Sequence, residues 1–176
     1  MARNAFLGIG TNLGDRDANI KKAVEIIRKS VGELVSCSDI YETEPWGFQS
    51  ENKFLNLVVC IATTLGPMDL LHRVVSIESQ VGRTRTGSQY TSRTMDIDIL
   101  LYGEKIINRS ALIVPHPLIP DRRFVLVPLC DIAADFVHPV LKKTLRQLLD
   151  ECSDERKIQR YARMVDLYYL NRKSRS

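Results

Sequence analysis

A predicted strand with two acidic residues on one face is the feature that most constrains the fold of this chain. In residues 93–102 (RTMDIDILLY), Asp96 and Asp98 alternate with isoleucines before the run becomes fully apolar. This pattern is typical of a strand inside a sheet. Residues two apart in a strand point to the same face and lie about 7 Å apart along the backbone. Two carboxylates so placed repel each other by roughly 0.6–2.4 kcal/mol, depending on the local dielectric. A cation relieves this repulsion, and magnesium, which prefers oxygen ligands and is often shared with phosphates, suits the pair.

The segment before this strand favours a functional pair over two simpler interpretations, a solvated strand start or ion pairs with Arg85 and Arg93. Residues 82–93 include Arg83, Arg85 and Arg93, no acidic residue, and several Gly, Ser and Thr. This composition is typical of a flexible loop. Arginine binds phosphate oxygens bidentately and neutralises charge on a transferring phosphoryl group. The combination predicts a cationic loop that closes over a magnesium nucleotide.

The order of the predicted elements indicates an α+β protein. Alternating patterns predict a strand at the N-terminus and strands over 34–43, 54–63, 96–102 and 106–107, with helices from Asn12 or Asp15 to about residue 31 and over 67–81. This β-α-β-β-α-β order is typical of a ferredoxin-like antiparallel sheet with helices packed on one face. Further helices are expected around 124–133 and 144–152.

We expect residues 1–152 to form one domain and residues 153–176 to form a basic C-terminal extension. The extension is either a short amphipathic helix or a disordered tail. The apolar side of such a helix would consist of Tyr161, Met164, Val165, Tyr168 and Tyr169.

Composition limits the classes of function. The chain has 176 residues, of which 44% are hydrophobic and 26% charged, which is ordinary for a globular protein. No apolar run approaches the roughly 20 residues that cross a bilayer, so no membrane partner is expected. The net charge of +4 is concentrated after residue 155, so we expect no nucleic-acid surface on the body. The widely spaced cysteines predict reduced thiols and a cytoplasmic location.

Three further segments could take part in phosphate or ring binding. His116 lies between two prolines and could help to hold a phosphate, although a single histidine is more often a packed or surface side chain. Arg122 could contact a phosphate or lie at a solvated helix start. Phe54 and Asn56 share one strand face, where an aromatic ring and an amide could stack and pair with a flat heterocycle. Aromatic residues at strand starts usually belong to the core.

Together these motifs closely resemble the 6-hydroxymethyl-7,8-dihydropterin pyrophosphokinase family of folate biosynthesis. The resemblance covers about residues 4–150. It is carried by residues 10–14, 41–47, 54–56, 77–78, 82–83, 93–103 and 115–117, with Arg122 and Phe124. The resemblance implies a ferredoxin-like α+β fold and the transfer of pyrophosphate from ATP to the pterin hydroxymethyl group, with release of AMP. It also implies two magnesium ions and ATP as co-substrate. We expect a monomer or weak dimer.

The resemblance implies roles for individual residues. Arg83 and Arg93 would be catalytic, and Asp96 and Asp98 would bind magnesium. The ATP contacts would be Glu78, Arg85, Ile99, His116 and Arg122. The pterin contacts would be Thr43, Pro45, Trp46, Phe54, Asn56 and Phe124, with the two phenylalanines on either side of the ring. No residue is assigned as general base.

The chain departs from the family pattern at two places. Tyr90, Thr91 and Ser92 stand where some members have Trp and many have Gly-Pro, which predicts altered loop closure. Ala111 and Ile113 occupy positions that are polar or basic in some members, so ATP contacts there are not expected.

Two rival classes of function share part of the pattern. An RNA-recognition domain has the same element order, but its aromatic RNP run is absent from the sequence, and the central acids would repel a phosphate backbone. A nucleotide-binding regulator that has lost the reaction is disfavoured because Arg83, Arg93, Asp96 and Asp98 are all present.

Overall fold

The computed structural model describes residues 1–47, 51–82 and 94–164 of the chain. These residues form eight strands and four helices. In chain order they are β1 (Arg3–Thr11), α1 (Arg16–Ser30), β2 (Glu33–Cys37), β3 (Ile40–Thr43), β4 (Phe54–Thr63), α2 (Pro67–Val81), β5 (Asp96–Tyr102), β6 (Ile107–Arg109), β7 (Leu112–Val114), α3 (Arg123–Ala133), α4 (Leu145–Asp150) and β8 (Ile158–Ala162). No helix within these ranges has the length and apolar content to cross a bilayer.

The main sheet is antiparallel and has the order β5-β1-β4-β3-β8. Strands β6 and β7 form a separate hairpin. The segment 34–43, expected to be one strand, is divided into β2 and β3, which both pair with β4. Ser38 lies at the division, where its Oγ accepts a hydrogen bond from the Val58 amide at 2.9 Å. The first elements therefore follow the predicted β-α-β-β-α-β order, with the second strand in two pieces.

Helices cover both faces of the sheet, not only one as the sequence led us to expect. Helices α1 and α2 pack on the face that carries Leu57, Val59 and Ile61 of β4. Helices α3 and α4 pack on the opposite face, against Val58 and Cys60. The reason lies in β4, which is apolar and buried at nearly every position. A strand that is apolar on both faces needs a layer on each side.

The first two helices begin as their sequences predict. Asp15 is the N-cap of α1, and its side chain accepts a hydrogen bond from the Ala18 amide at 3.0 Å, which satisfies one of the free amides of the first turn. Pro67 occupies the first turn of α2, where its missing N–H costs nothing. Gly82 ends α2 with φ +120°, a backbone conformation that favours glycine.

The C-terminal extension contains a strand where we expected a helix or a disordered tail. Strand β8 pairs with β3 in antiparallel register, so that Ile158 lies opposite Thr43 and Ala162 opposite Ile40. The expectation is therefore wrong for residues 158–162. Strand β3 would otherwise be an edge with unpaired backbone groups, and β8 satisfies them. Met164 follows β8 and is buried in the core.

Candidate active site

Asp96 and Asp98 lie on β5 directly opposite two glycines of β1. Gly10 pairs with Asp96, and Gly8 pairs with Asp98. Ile97, between the two acids, is buried against the opposite core, whereas both aspartates are partly exposed, as the alternation in sequence predicts. A Cβ atom on Gly10 would lie 3.1 Å from Oδ1 of Asn56. Because Gly8 and Gly10 carry no side chains, the sheet surface beside the carboxylates is open at these two positions.

A first cleft lies over Gly8 and Gly10 of β1. Its volume is about 80 Å³, and its walls come from the end of β3, the start of β4 and the start of α3. All the predicted pterin-binding residues except Pro45 line this cleft, namely Thr43, Trp46, Phe54, Asn56 and Phe124. Pro45 lies in the same turn and is half-buried. The structure thus brings together side chains from three separate elements.

The amide of Asn56 is held in one orientation at the bottom of the first cleft. Its Nδ2 donates a hydrogen bond to Oγ1 of Thr43 at 2.7 Å, and both residues are buried. The Oδ1 atom therefore lies on the side of Gly10, towards the cleft floor. An amide fixed in this way can recognise the edge of a polar heterocycle with little loss of side-chain entropy.

Arg122 lies buried between the aromatic wall and the carboxylate pair. Its Nη1 is 3.9 Å from Oδ2 of Asp98. Its guanidinium carbon is 4.6 Å from the centroid of the Trp46 ring and 5.7 Å from that of Phe124, within the range of cation–π attraction. The sequence predicts an ATP contact for Arg122, and the structure places it on the lining of the first cleft.

A second cleft lies on the other side of the aspartates and holds about 430 Å³. Three of the predicted ATP contacts line it, namely Glu78, Ile99 and His116. Its apolar wall comes from Leu71, Val74 and Val75 of α2, for which the sequence predicted a helix but no binding role. Their spacing is that of an ordinary buried helix face, so the sequence carried no signal that would have distinguished them.

Glu78 holds the start of β5 in place. It is 3% exposed, and its Oε1 accepts a hydrogen bond from the amide of Ile97 at 2.9 Å. Because Ile97 separates the two aspartates, this bond fixes the backbone on which both carboxylates stand.

His116 is a neutral residue at ordinary pH. Burial and the neighbouring Arg122 lower its pKa to about 4, although Asp96 acts in the opposite direction. Its Nδ1 accepts a hydrogen bond from the Leu118 amide at 3.2 Å, so the proton of the neutral ring is on Nε2. A neutral histidine of this form can still donate one hydrogen bond to a phosphate oxygen. Any phosphate contact of His116 would therefore be made by a neutral ring.

The two clefts share Asp96 and Asp98. No group of three or more His, Cys, Asp or Glu that could hold a metal occurs in residues 1–47, 51–82 and 94–164. Two carboxylates without further protein ligands fit magnesium, which keeps several waters and takes its remaining ligands from substrate phosphates. The predicted contacts Arg83, Arg85 and Arg93 lie outside the described residues. Two clefts that meet at such a pair are typical of an enzyme that transfers a phosphate-containing group between two small molecules.

Comparison with known proteins agrees with this class. Residues 6–134 match the family model of 7,8-dihydro-6-hydroxymethylpterin-pyrophosphokinase. The chain is 38% identical over 146 residues to the 2-amino-4-hydroxy-6-hydroxymethyldihydropteridine pyrophosphokinase of Aquifex aeolicus, covering 83% of this chain and 90% of that protein. It is 41% identical over 129 residues to the protein of the same description from Bacillus subtilis, covering 73% and 77%. The chain therefore belongs to the 7,8-dihydro-6-hydroxymethylpterin-pyrophosphokinase family.

The fold is also found in solved structures. The wild-type HPPK-DHPS of Plasmodium falciparum superimposes with a TM-score of 0.71 at 16% sequence identity. The match covers 86% of this chain but 44% of that one, so the chain spans less than half of the longer protein. At this identity the likeness concerns the fold alone.

Proposed function

We propose that this chain binds dihydropterin in the first cleft and ATP in the second, and that Asp96 and Asp98 serve the transfer between them. Its family is that of the pyrophosphokinases of folate biosynthesis. In the reaction, the hydroxymethyl oxygen of 6-hydroxymethyl-7,8-dihydropterin attacks the β-phosphorus of ATP. The bond between that phosphorus and the oxygen that bridges it to the α-phosphorus breaks. AMP leaves with this oxygen, and the hydroxyl proton is released to solvent. The observation that carries the proposal is the carboxylate pair shared by the two clefts.

The first cleft has the properties that a pterin requires. A flat ring fits between aromatic side chains, and Phe54 and Phe124 line the cleft. The amide of Asn56, fixed by Thr43, offers a polar atom at the buried end. Ring stacking and a fixed amide orient the hydroxymethyl group, and orientation is a large part of catalysis when no covalent intermediate forms.

The second cleft suits a nucleotide by its size and its lining. The apolar side of α2 can cover an adenine base, and the cleft extends from there to the aspartates. His116 lines this cleft, and its neutral ring with the proton on Nε2 can donate to a phosphate oxygen. The roles of Arg83 and Arg93 in catalysis and of Arg85 in ATP binding remain predictions from the sequence.

We infer that Asp96 and Asp98 would hold magnesium, two ions by the family resemblance. When bound, magnesium would neutralise the triphosphate and align its oxygens. Arg122 beside Asp98 offsets part of the carboxylate charge when no cation is bound. The remaining finer expectations, a ferredoxin-like arrangement with an added layer of α3 and α4, a cytoplasmic location and a monomer or weak dimer, belong to the same proposal.

The test is AMP formation from ATP with and without 6-hydroxymethyl-7,8-dihydropterin, in magnesium buffer and after chelation. We expect AMP only when both pterin and magnesium are present. Asp98→Asn should abolish it, whereas Asp150→Asn, an exposed acid at the end of α4, should not. ADP as the product would contradict the proposed bond cleavage, and AMP that persists after chelation would contradict the magnesium assignment.

A further inference from the structure

The C-terminal extension reaches back to the first cleft. Residues 153–164 lie beyond the segment 6–134 that matches the family, so family membership assigns them no role. Strand β8 pairs with β3 so that Ile158 lies opposite Thr43, a residue of the cleft wall. The residues just before β8 are therefore held beside the cleft.

Asp154 caps the helix that carries one wall of the cleft. The N-cap position of α3 is Arg122, whose side chain has no oxygen to accept hydrogen bonds from the first-turn amides. Oδ2 of Asp154 accepts a hydrogen bond from the Arg123 amide at 3.2 Å. A carboxylate at a helix N-terminus is stabilised by both the free amides and the helix dipole. The extension thus supplies a cap for the turn that includes Phe124.

The Asp154 carboxylate is well suited to this position. Its side chain is 6% exposed. Burial alone would raise its pKa, but hydrogen bonds from Arg156 and from the Arg123 amide outweigh burial, and the pKa of Asp154 lies below its ordinary value. The group is therefore charged at neutral pH, as a helix cap of this kind requires.

Arg156 connects Asp154 to the opposite wall. Its Nε donates to Oδ1 of Asp154 at 2.7 Å. Its guanidinium carbon is 5.5 Å from the centroid of the Trp46 ring. Trp46 also contacts Arg122, the N-cap residue of α3. The indole ring is therefore in contact with a cation from the helix wall and with a second cation from the extension.

We propose that Asp154 and Arg156 are positioning residues for the pterin substrate, which hold the start of α3 and the Trp46 ring at the first cleft. This inference rests on the proposed function, because it assumes that the pterin binds in the first cleft. Neither residue lines the cleft, so each acts through a neighbour: Asp154 through Phe124, and Arg156 through Trp46.

The test compares Arg156→Ala, the conservative variant Arg156→Lys and a matched control, Arg160→Ala. Arg160 lies on β8 and pairs with Asp39 at 2.6 Å, and its side chain is 48% exposed against 40% for Arg156. Removing it deletes an ion pair of β8 with Asp39 and leaves the backbone pairing of β8 and the Trp46 contact in place. Trp46 is the single tryptophan of the chain, so its fluorescence reports on its surroundings without labelling.

We expect Arg156→Ala to raise the dissociation constant and the KM for the pterin by about two- to fivefold, the size of a partly exposed cation–π contact. The KM for ATP and kcat should stay at wild-type values. In the ligand-free protein, the Trp46 emission should shift and acrylamide should quench it more strongly. Arg156→Lys should restore most of both effects, and Arg160→Ala should show neither. Asp154→Asn should weaken pterin binding in the same direction.

Three results would overturn the inference. They are unchanged pterin affinity and Trp46 emission in Arg156→Ala, an equal effect of Arg160→Ala, and an equal rise in the KM for ATP. Failure of the proposed function is distinguishable, because the wild-type protein would then neither bind the pterin nor form AMP. The ligand-free fluorescence would still show whether Arg156 contacts Trp46.

Discussion

Replacement of Glu78 by alanine tests how the carboxylate pair is held. Glu78 is buried on α2, and its Oε1 accepts a hydrogen bond from the Ile97 amide at 2.9 Å. After truncation that amide has no acceptor in this position, and water cannot easily reach it because Ile97 is 4% exposed. An orphaned buried N–H costs about 1–3 kcal/mol, and each lost buried methylene costs about 0.8 kcal/mol. The alanine variant no longer buries a carboxylate, and the desolvation cost that this removes offsets part of the loss in stability.

We therefore expect Glu78→Ala to lower the free energy of unfolding by about 2–4 kcal/mol, or roughly 2–4 °C in Tm for each kcal/mol in a chain of this size. Glu78→Gln keeps an oxygen that can accept the same amide, so its loss should stay under about 1 kcal/mol. Turnover should likewise fall more in Glu78→Ala than in Glu78→Gln. A displacement of about 1 Å at the carboxylates proposed to bind magnesium can cost about a hundredfold in rate.

Urea denaturation followed by circular dichroism would measure the unfolding free energies, and AMP formation over a magnesium titration would measure turnover. Glu25→Ala is the control, since Glu25 is an exposed glutamate paired with Lys29 on α1, and loss of such a pair should cost less than about 0.5 kcal/mol. If Glu78→Gln is as unstable as Glu78→Ala, or if Glu78→Ala is as stable as the wild-type protein, the reasoning from the Ile97 hydrogen bond is refuted.

Four further outcomes are expected. Asp98→Ala should abolish magnesium-dependent turnover while the far-UV circular dichroism stays native; full activity would exclude the metal role. Phe124→Ala should weaken pterin binding by roughly 1–3 kcal/mol, by analogy with stacked bases, with ATP affinity unchanged in calorimetry. Gly10→Ala places a Cβ atom 3.1 Å from Oδ1 of Asn56, so pterin KM should rise while KM for ATP does not. Burial lowers the pKa of His116 to about 4, below the unfolded value of about 6.5. The unfolding free energy should therefore fall as the pH drops from 6.5 towards 4, by up to about 3 kcal/mol, and His116→Asn should flatten that part of the curve.

The parts of the fold and site that the sequence predicted depend on short-range spacing. The two aspartates on one face of β5, and Phe54 and Asn56 on one face of β4, follow from a period of two residues. The starts of α1 and α2 follow from Asp15 and Pro67, which act within one helical turn. In each case the residues that decide the structure are neighbours in the chain, so no knowledge of the tertiary fold was needed.

The parts that the sequence did not predict depend on contacts between distant segments. The apolar residues of β8 lie at 158, 161 and 162, a spacing that fits a helix rather than a strand. Its state is decided by the free edge of β3 and not by its own pattern. The cap that Asp154 gives to α3 joins residues 31 positions apart, and no helix signal in either segment reveals it. Gly8 and Gly10 suggested only a first strand. Their position opposite Asp98 and Asp96 appears only when the register of β1 and β5 is known.

The start of β5 is held by side chains from three other elements, and this explains how one strand can serve two clefts. Oγ1 of Thr11 on β1 donates to the carbonyl of Thr94 at 2.6 Å, and Nδ2 of Asn19 on α1 reaches the same carbonyl at 3.4 Å. Glu78 on α2 fixes the Ile97 amide three residues later. The backbone on both sides of Asp96 is therefore fixed before any substrate binds. In the proposed function the carboxylate pair faces a nucleotide on one side and a pterin on the other, so it cannot adjust to one without moving away from the other. Rigid support of the backbone is what such a shared position requires, and the cost of removing Glu78 should therefore appear in turnover as well as in stability.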